Sequence, residues 1–214
     1  MIVAIDGPAG AGKSTVARAV ADSLGFEYLD TGALYRAVTV AAFDAGIEPN
    51  DEASLARLAG GVTTDVGGRL VVRGSDVTDR LRDPEASAAV SVVAAHPQVR
   101  AALIPLQRRV ASGGDVVVEG RDIGTTVFPE AEIKVFLTAD ADERARRRAR
   151  QLGRGDDATY VDRISKSITE RDETDSLRAA SPLAKADDAV LLDTSGMPFE
   201  EVVGKVVEIV RASS

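Results

Sequence analysis

Eight residues near the start of the chain, Gly7-Pro8-Ala9-Gly10-Ala11-Gly12-Lys13-Ser14, fit the spacing G-x-x-x-x-G-K-[ST], and Thr15 extends the run. Their chemistry is phosphate binding. The glycines let the backbone fold tightly, so that successive N–H groups point into one concavity and meet phosphate oxygens at a helix N-terminus. Lys13 adds a mobile positive charge for the β- and γ-phosphates of a nucleoside triphosphate, and Ser14 offers a hydroxyl to Mg²⁺.

A phosphate loop serves kinases, GTPases and ATPases alike, and three later clusters choose among them. The first is Asp30-Thr31-Gly32-Ala33-Leu34-Tyr35-Arg36, where a hydroxyl, an aromatic ring and an arginine arrive together after a strand. Such a set at the C-terminal edge of a parallel sheet suits a second small phosphorylated molecule. An N-cap followed by a core tyrosine explains it equally well. The second is Val116-Val117-Val118-Glu119-Gly120-Arg121-Asp122, a buried strand ending in an acid. An arginine at that strand end can neutralise a phosphate passing between donor and acceptor. The third is the span Ala141–Arg150, in which Arg144, Arg147 and Arg148 share one helical face by their three- and four-residue spacing. Acidic residues early and basic ones late also complement the helix dipole, so a solvated basic face accounts for the outer arginines. Gly153-Arg154-Gly155 then loosens the chain before another helix begins near Thr159. A short hinged flap carrying arginines is what a phosphoryl-transfer lid requires. The base-reading N-K-x-D signature of GTPases is absent.

These groups need a scaffold. Five apolar runs, Ile2–Ile5, Phe26–Leu29, Val116–Val118, Ile133–Leu137 and Ala189–Leu192, read as buried parallel strands. Helical segments such as Ser14–Leu24, Ala141–Gln151 and Phe199–Val210 separate or follow them, which predicts an α/β fold with helices on both faces of a parallel sheet. Residues 62–83 break the pattern. Short β-prone pieces punctuated by Gly67-Gly68 and Gly74-Ser75 predict a small antiparallel insert.

The chain's 214 residues suffice for one such domain with a small appendage. No apolar run approaches the ~18 residues of a membrane span. The start leads straight into a strand without a basic region, so no signal peptide and a cytoplasmic location are expected. The absence of cysteine excludes disulfides, thiolate metal sites and thiol catalysis. A net charge of -8, with three Tyr and five Phe for stacking, argues against nucleic-acid binding.

The segments IDGPAGAGKST, LDTGALYR, SVVAAHPQVRAALIPLQR, EGRDIGTTVFPEA and ERDETDSLRAASPL follow one another along essentially the whole chain. In these, and in the insert, the chain resembles the bacterial cytidylate kinases of the nucleoside monophosphate kinase family. The resemblance implies a P-loop kinase core with a five-stranded parallel sheet, an antiparallel insert and a short lid. It divides the chain into core (1–30, 106–140 and 161–214), a monophosphate-binding region (31–105) and a lid (141–160). It implies ATP with Mg²⁺ as donor, bound by Gly7, Pro8, Ala9, Gly10, Ala11, Gly12, Lys13, Ser14 and Thr15. CMP or dCMP is the implied acceptor, giving a role in pyrimidine nucleotide metabolism. By the same resemblance Asp122 and Ser91 are expected to accept from the cytosine amino group and Arg100 to donate to the ring acceptors, groups that uracil would leave unpaired. The family pattern places Arg36 and Arg121 on the acceptor phosphate, with Thr31 and Tyr35 lining the same pocket. Arg171, Asp175 and Arg178 match positions expected to hold the sugar and reach the phosphates.

Thr31 stands where many relatives have serine, and Glu119 where others have aspartate. His96, the single histidine, precedes Pro97 in a turn and is expected to be structural. No general base is expected, because the acceptor phosphate oxygen would already be anionic; catalysis is expected to rest on Lys13, Arg121, Arg144, Arg147 and Arg148 through position and charge. A monomer without nucleic-acid or membrane partners is expected. Two rivals remain: a P-loop kinase for another acceptor such as UMP or AMP, and a regulatory protein that binds ATP without transferring its phosphate.

Overall fold

Val3, Ala4 and Ile5 are fully buried, which a strand achieves only when both faces of its sheet are covered. They lie in β1 (Ile2–Asp6), the middle strand of a five-stranded parallel sheet. Its order is β2 (Glu27–Asp30), β6 (Val116–Glu119), β1, β7 (Ile133–Thr138) and β8 (Val190–Asp193). The register sets Ile2 opposite Val116, Val3 opposite Ile133, and Val135 opposite Val190. The computed structural model describes residues 1–64, 68–178 and 180–213. It contains two compact units, one of residues 1–29 and 113–214, the other of residues 30–112.

The first unit is the sheet with its flanking helices. α1 (Lys13–Leu24) directs Val16, Ala17, Val20 and Ala21 inward and ends at Gly25, whose φ of 70° lets its N–H return to the carbonyl of Ala21. α8 (Phe199–Ala212) buries Val202, Val206, Val207 and Val210, with Val203 packed at its margin. Together with Val3, Ile5, Val117, Ile133, Val135 and Leu137 these form one apolar core. α6 (Ala141–Gln151) and α7 (Ala158–Ser176) carry the arginine-dense span and the ERDETDS segment.

The second unit holds α2 (Thr31–Asp44), α3 (Glu52–Ala59), α4 (Pro84–Ala95) and α5 (Pro97–Ala111). Proline leads α4 and α5, where its missing N–H costs no helical bond. Between them His96 is held through Nε2 by the carbonyl of Pro49 at 2.8 Å, a structural role as expected. The insert is a three-stranded antiparallel sheet of β3 (Val62–Thr64), β4 (Leu70–Val72) and β5 (Ser75–Asp76). Arg73 and Gly74 both have positive φ, the geometry of a two-residue hairpin turn. The other turn signal falls partly on Gly67, outside the described residues. The insert is more than a surface cap: Val62, Leu70 and Val72 join the core of this unit beside Leu34, Val38 and Leu103. No single helix among the described residues is long and apolar enough to cross a membrane; α4 and α5 qualify only as a pair bent by 98°.

Candidate active site

The glycine-rich loop leaves the end of β1 through Gly7, with φ of 149°. A Cβ there would lie 2.0 Å from the carbonyl oxygen of Leu137 in β7, so only glycine lets the chain pass the neighbouring strand. The loop closes at Gly12, and α1 begins with Lys13. The Lys13 ammonium turns back and donates to the carbonyl of Pro8 at 2.7 Å. Burial, reinforced by the nearby Arg121 and Arg171 charges, pushes its pKa well below the usual lysine range, against the pull of Glu119 and Asp172. Ser14 and Thr15 follow on the exposed first turn of α1.

Side chains distant in sequence brace this loop. The Asp172 carboxylate accepts from the N–H of Ala9 at 2.7 Å and pairs with Arg144, whose guanidinium also donates to the carbonyl of Ala9 at 2.7 Å. Residue 9 is thus clamped at both backbone groups. Arg121 donates to the carbonyl of Gly7 at 3.1 Å and, through Nε, to Asp175 at 2.9 Å. Asp175 also pairs with Arg178. Burial pushes the Asp175 carboxyl upward, but the guanidinium groups of Arg121, Arg178 and Arg171 outweigh it and hold the pKa below the ordinary value. Arg147 donates to the hydroxyl and carbonyl of Thr194 at 2.8 and 2.7 Å. A Cβ on Gly12 would lie 4.0 Å from its guanidinium. Lys13, Arg121, Arg144 and Arg147 therefore gather around one short loop. Arg148 differs: it is exposed and donates to Gln151 at 3.4 Å.

At the end of β6, the buried Glu119 accepts from the Tyr28 hydroxyl at 2.6 Å, and Arg18 lies over the Tyr28 ring, 4.4 Å from its centroid. Asp6, the last residue of β1, is buried and accepts from the N–H groups of Ile123 and Gly124 at 2.9 and 2.8 Å. Burial raises its pKa to about 6, although those two hydrogen bonds and Lys13 pull it back.

In the unit of residues 30–112, Asp30 caps α2 by accepting from the N–H of Ala33 at 2.9 Å and pairs with Arg36 at 2.6 Å. Thr31 and Tyr35 are buried on the same helix. The guanidinium of Arg100 stands 5.4 Å from the Tyr35 ring centroid and donates to the carbonyl of Ala94 at 3.3 Å. Gln107 donates to the Tyr35 hydroxyl at 3.4 Å. Ser91 is buried on α4, and its hydroxyl makes no hydrogen bond within the described residues.

A family model described as cytidylate kinase matches residues 3–212. The chain belongs to the cytidylate kinase family. A cytidylate kinase of Carboxydothermus hydrogenoformans is 49% identical over 98% of this chain and 97% of its own length. One from Pelotomaculum thermopropionicum is 51% identical, covering 98% and 96%. Among solved structures, that of an uncharacterized protein from Eubacterium ventriosum superposes with a TM-score of 0.56 at 12% identity over 99% of each chain, a likeness of fold alone.

Within this cytidylate kinase fold, the loop residues, Arg121, Arg144 and Arg147 lie together, as do Arg171, Asp175 and Arg178, while Tyr35 and Arg100 meet in the second unit. Sequence reasoning missed three braces: Asp6, Asp172 and Thr194. Asp172 lies inside ERDETDSLR and was available to it as an acid beside an expected site arginine. Asp6 had a fainter signal, a charged residue ending an otherwise apolar strand.

Proposed function

We propose that this chain transfers the γ-phosphoryl group of ATP to CMP or dCMP. An oxygen of the acceptor phosphate attacks the γ-phosphorus, the bond to the β–γ bridging oxygen breaks, and ADP leaves with that electron pair. The observation that carries this reading is the family match across residues 3–212, together with the cationic cluster around the loop. A buried, crowded lysine ammonium favours polyanions, because a phosphate supplies the opposite charge that its surroundings hold in short supply.

In this reading Gly7 to Thr15 hold the triphosphate, with Lys13 on its terminal phosphates. Arg121, Arg144, Arg147 and Arg148 stabilise the charge that develops on the transferring group. Residues 141–160 act as the lid. The acceptor phosphate falls to Arg36 and Arg121, with Thr31 and Tyr35 lining its pocket. Ser91 and Asp122 accept from the cytosine amino group, Arg100 donates to the ring, and Arg171, Asp175 and Arg178 serve the sugar and phosphates. Discrimination against uracil rests on the polar groups it leaves unpaired.

Mg²⁺ fits the residues present. No group of three or more histidine or acidic side chains is arranged as a metal cage among the described residues, which suits an ion carried mainly by nucleotide phosphates and water. Ser14 would contribute its exposed hydroxyl, and Glu119 would act through water. Bound with the nucleotide, the ion would supply positive charge against the phosphates. We further propose a cytoplasmic monomer without nucleic-acid partners, in keeping with the net charge of -8.

The test is ADP release from ATP and Mg²⁺ with CMP, dCMP, UMP, AMP and GMP offered singly. Strong turnover with CMP and dCMP alone is expected. Equal use of CMP and UMP would remove the base-reading roles of Arg100 and Asp122. Absence of acceptor-dependent turnover would overturn the kinase reading.

A further inference from the structure

Asp6 ends β1, yet its carboxylate acts on a turn that follows β6. Residues Ile123–Val127 form a single π-helical turn. Within it the carbonyl of Asp122 accepts from the N–H groups of Thr126 and Val127 at 2.9 and 3.1 Å, and that of Ile123 from Phe128 at 2.7 Å. The leading N–H groups of any helical turn have no acceptor inside it. Here the first two, those of Ile123 and Gly124, donate to the two oxygens of Asp6, one each. In an ordinary helix start this task falls to the cap residue, here Asp122. A buried carboxylate receiving two charge-assisted bonds is a firm anchor. Isolated π turns also occur often at functional sites.

We infer that Asp6 is a positioning residue for acceptor recognition: by holding the turn that begins at Asp122, it fixes Arg121 and Asp122 for the pyrimidine nucleotide. The inference rests on the proposed kinase reading and deepens it. It is not obvious from sequence order, because Asp6 adjoins the triphosphate loop and would be taken for part of the donor site.

The charged groups facing this carboxylate are Asp122 and Lys13. The stem of Lys134 packs against Gly124, and its ammonium is engaged by the carbonyl of Pro129 at 2.5 Å and by Asp188 at 2.7 Å. Protonating Asp6 turns one acceptor oxygen into a hydroxyl facing a backbone donor, which loosens the turn. The transition falls near pH 6, within reach of assay.

The experiment compares wild type with Asp6→Asn, whose amide must oppose one of the two N–H groups. Losing one such bond corresponds to roughly a tenfold change. The KM for CMP should rise about tenfold at pH 7.5, with the KM for ATP within about threefold, and preference for CMP over UMP should fall. The pH profile of kcat/KM for CMP should lose a limb near pH 6. The substrate phosphate also titrates near 6, but it does so for both enzymes, so the difference between the profiles isolates Asp6. Equal rises in both KM values, or parallel profiles, would overturn the inference.

Gly124→Ala approaches the same turn while leaving the carboxylate in place. Its Cβ would lie 3.1 Å from Lys134 Cδ and 3.5 Å from Asp6 Oδ2. It should reproduce the CMP-selective rise even if Asp6→Asn fails to fold, and a rise in the ATP KM instead would overturn the inference. Wild type inactive with CMP defeats the kinase reading and this inference with it. Wild type active with CMP, beside variants of unchanged CMP KM, defeats the inference alone.

Discussion

Replacing Asp175 by Asn changes almost no volume but removes the negative charge from a buried cluster. The Asp175 side chain is 1% exposed, and its partners Arg121 and Arg178 are 17% and 4% exposed. Breaking a buried ion pair by deleting one partner costs about 3–5 kcal/mol, because the remaining charge stays desolvated. Arg121 reaches some water, so the lower end, about 3 kcal/mol, is expected. For a chain of 214 residues, an unfolding entropy of about 2.1 cal/mol/K per residue gives about 450 cal/mol/K. The Tm should therefore drop by about 7 °C, read by thermal unfolding at pH 7.5. The pH dependence has a definite sign. A carboxyl whose folded pKa is depressed contributes stability above its unfolded pKa near 3.9, and loses it as pH falls through the folded value. The gap between wild type and variant should thus hold from pH 7.5 to 5.5 and narrow only below about pH 4. A drop smaller than about 2 °C at pH 7.5, or a gap that widens in acid, would refute the reasoning.

Asp172→Asn should weaken the clamp on Ala9, leaving Arg144 without its counter-charge; a KM for ATP raised about tenfold with that for CMP within twofold is expected, and an unchanged ATP KM would show the clamp to be idle. Arg100→Met keeps an apolar stem against Tyr35 but removes the donors, so the KM for CMP should rise about tenfold or more with little change for ATP. An unchanged CMP KM would remove Arg100 from base recognition.

The central strands β1 and β6 were legible because they are nearly continuous apolar runs buried on both faces. The edge strands β2 and β8, also read as buried, are mostly half-buried or exposed, because no described strand pairs with their outer side in the sheet. The ends of the central strands were less legible. β1 extends to Asp6 and β6 to Glu119, polar residues that remain in register opposite Phe136 and Ile5. The phosphate loop was legible from spacing alone, since its function needs glycines, lysine and serine contiguous in the chain. The braces were not, because each joins residues far apart: Asp6 reaches Gly124, Asp172 reaches Ala9, Arg147 reaches Thr194. Helical periodicity put Arg144, Arg147 and Arg148 on one stripe. It could not show that the first two are taken up by acceptors beyond their helix while Arg148 bonds within it.

A chain with a net charge of -8 nevertheless concentrates lysine and arginine around one loop. The two facts serve different ranges. Exposed charges are screened beyond about 10 Å in ordinary salt, whereas partly buried groups a few ångströms from a ligand are screened far less. A small polyanion that enters the loop meets Lys13 and its neighbouring guanidinium groups at short range. An extended polyanion must also run along the remaining surface, which stays acidic although burial withdraws Asp6, Glu119, Asp122 and Asp175 as well as Lys13 and Arg100. Local cations within an acidic whole thus favour nucleotides over nucleic acids.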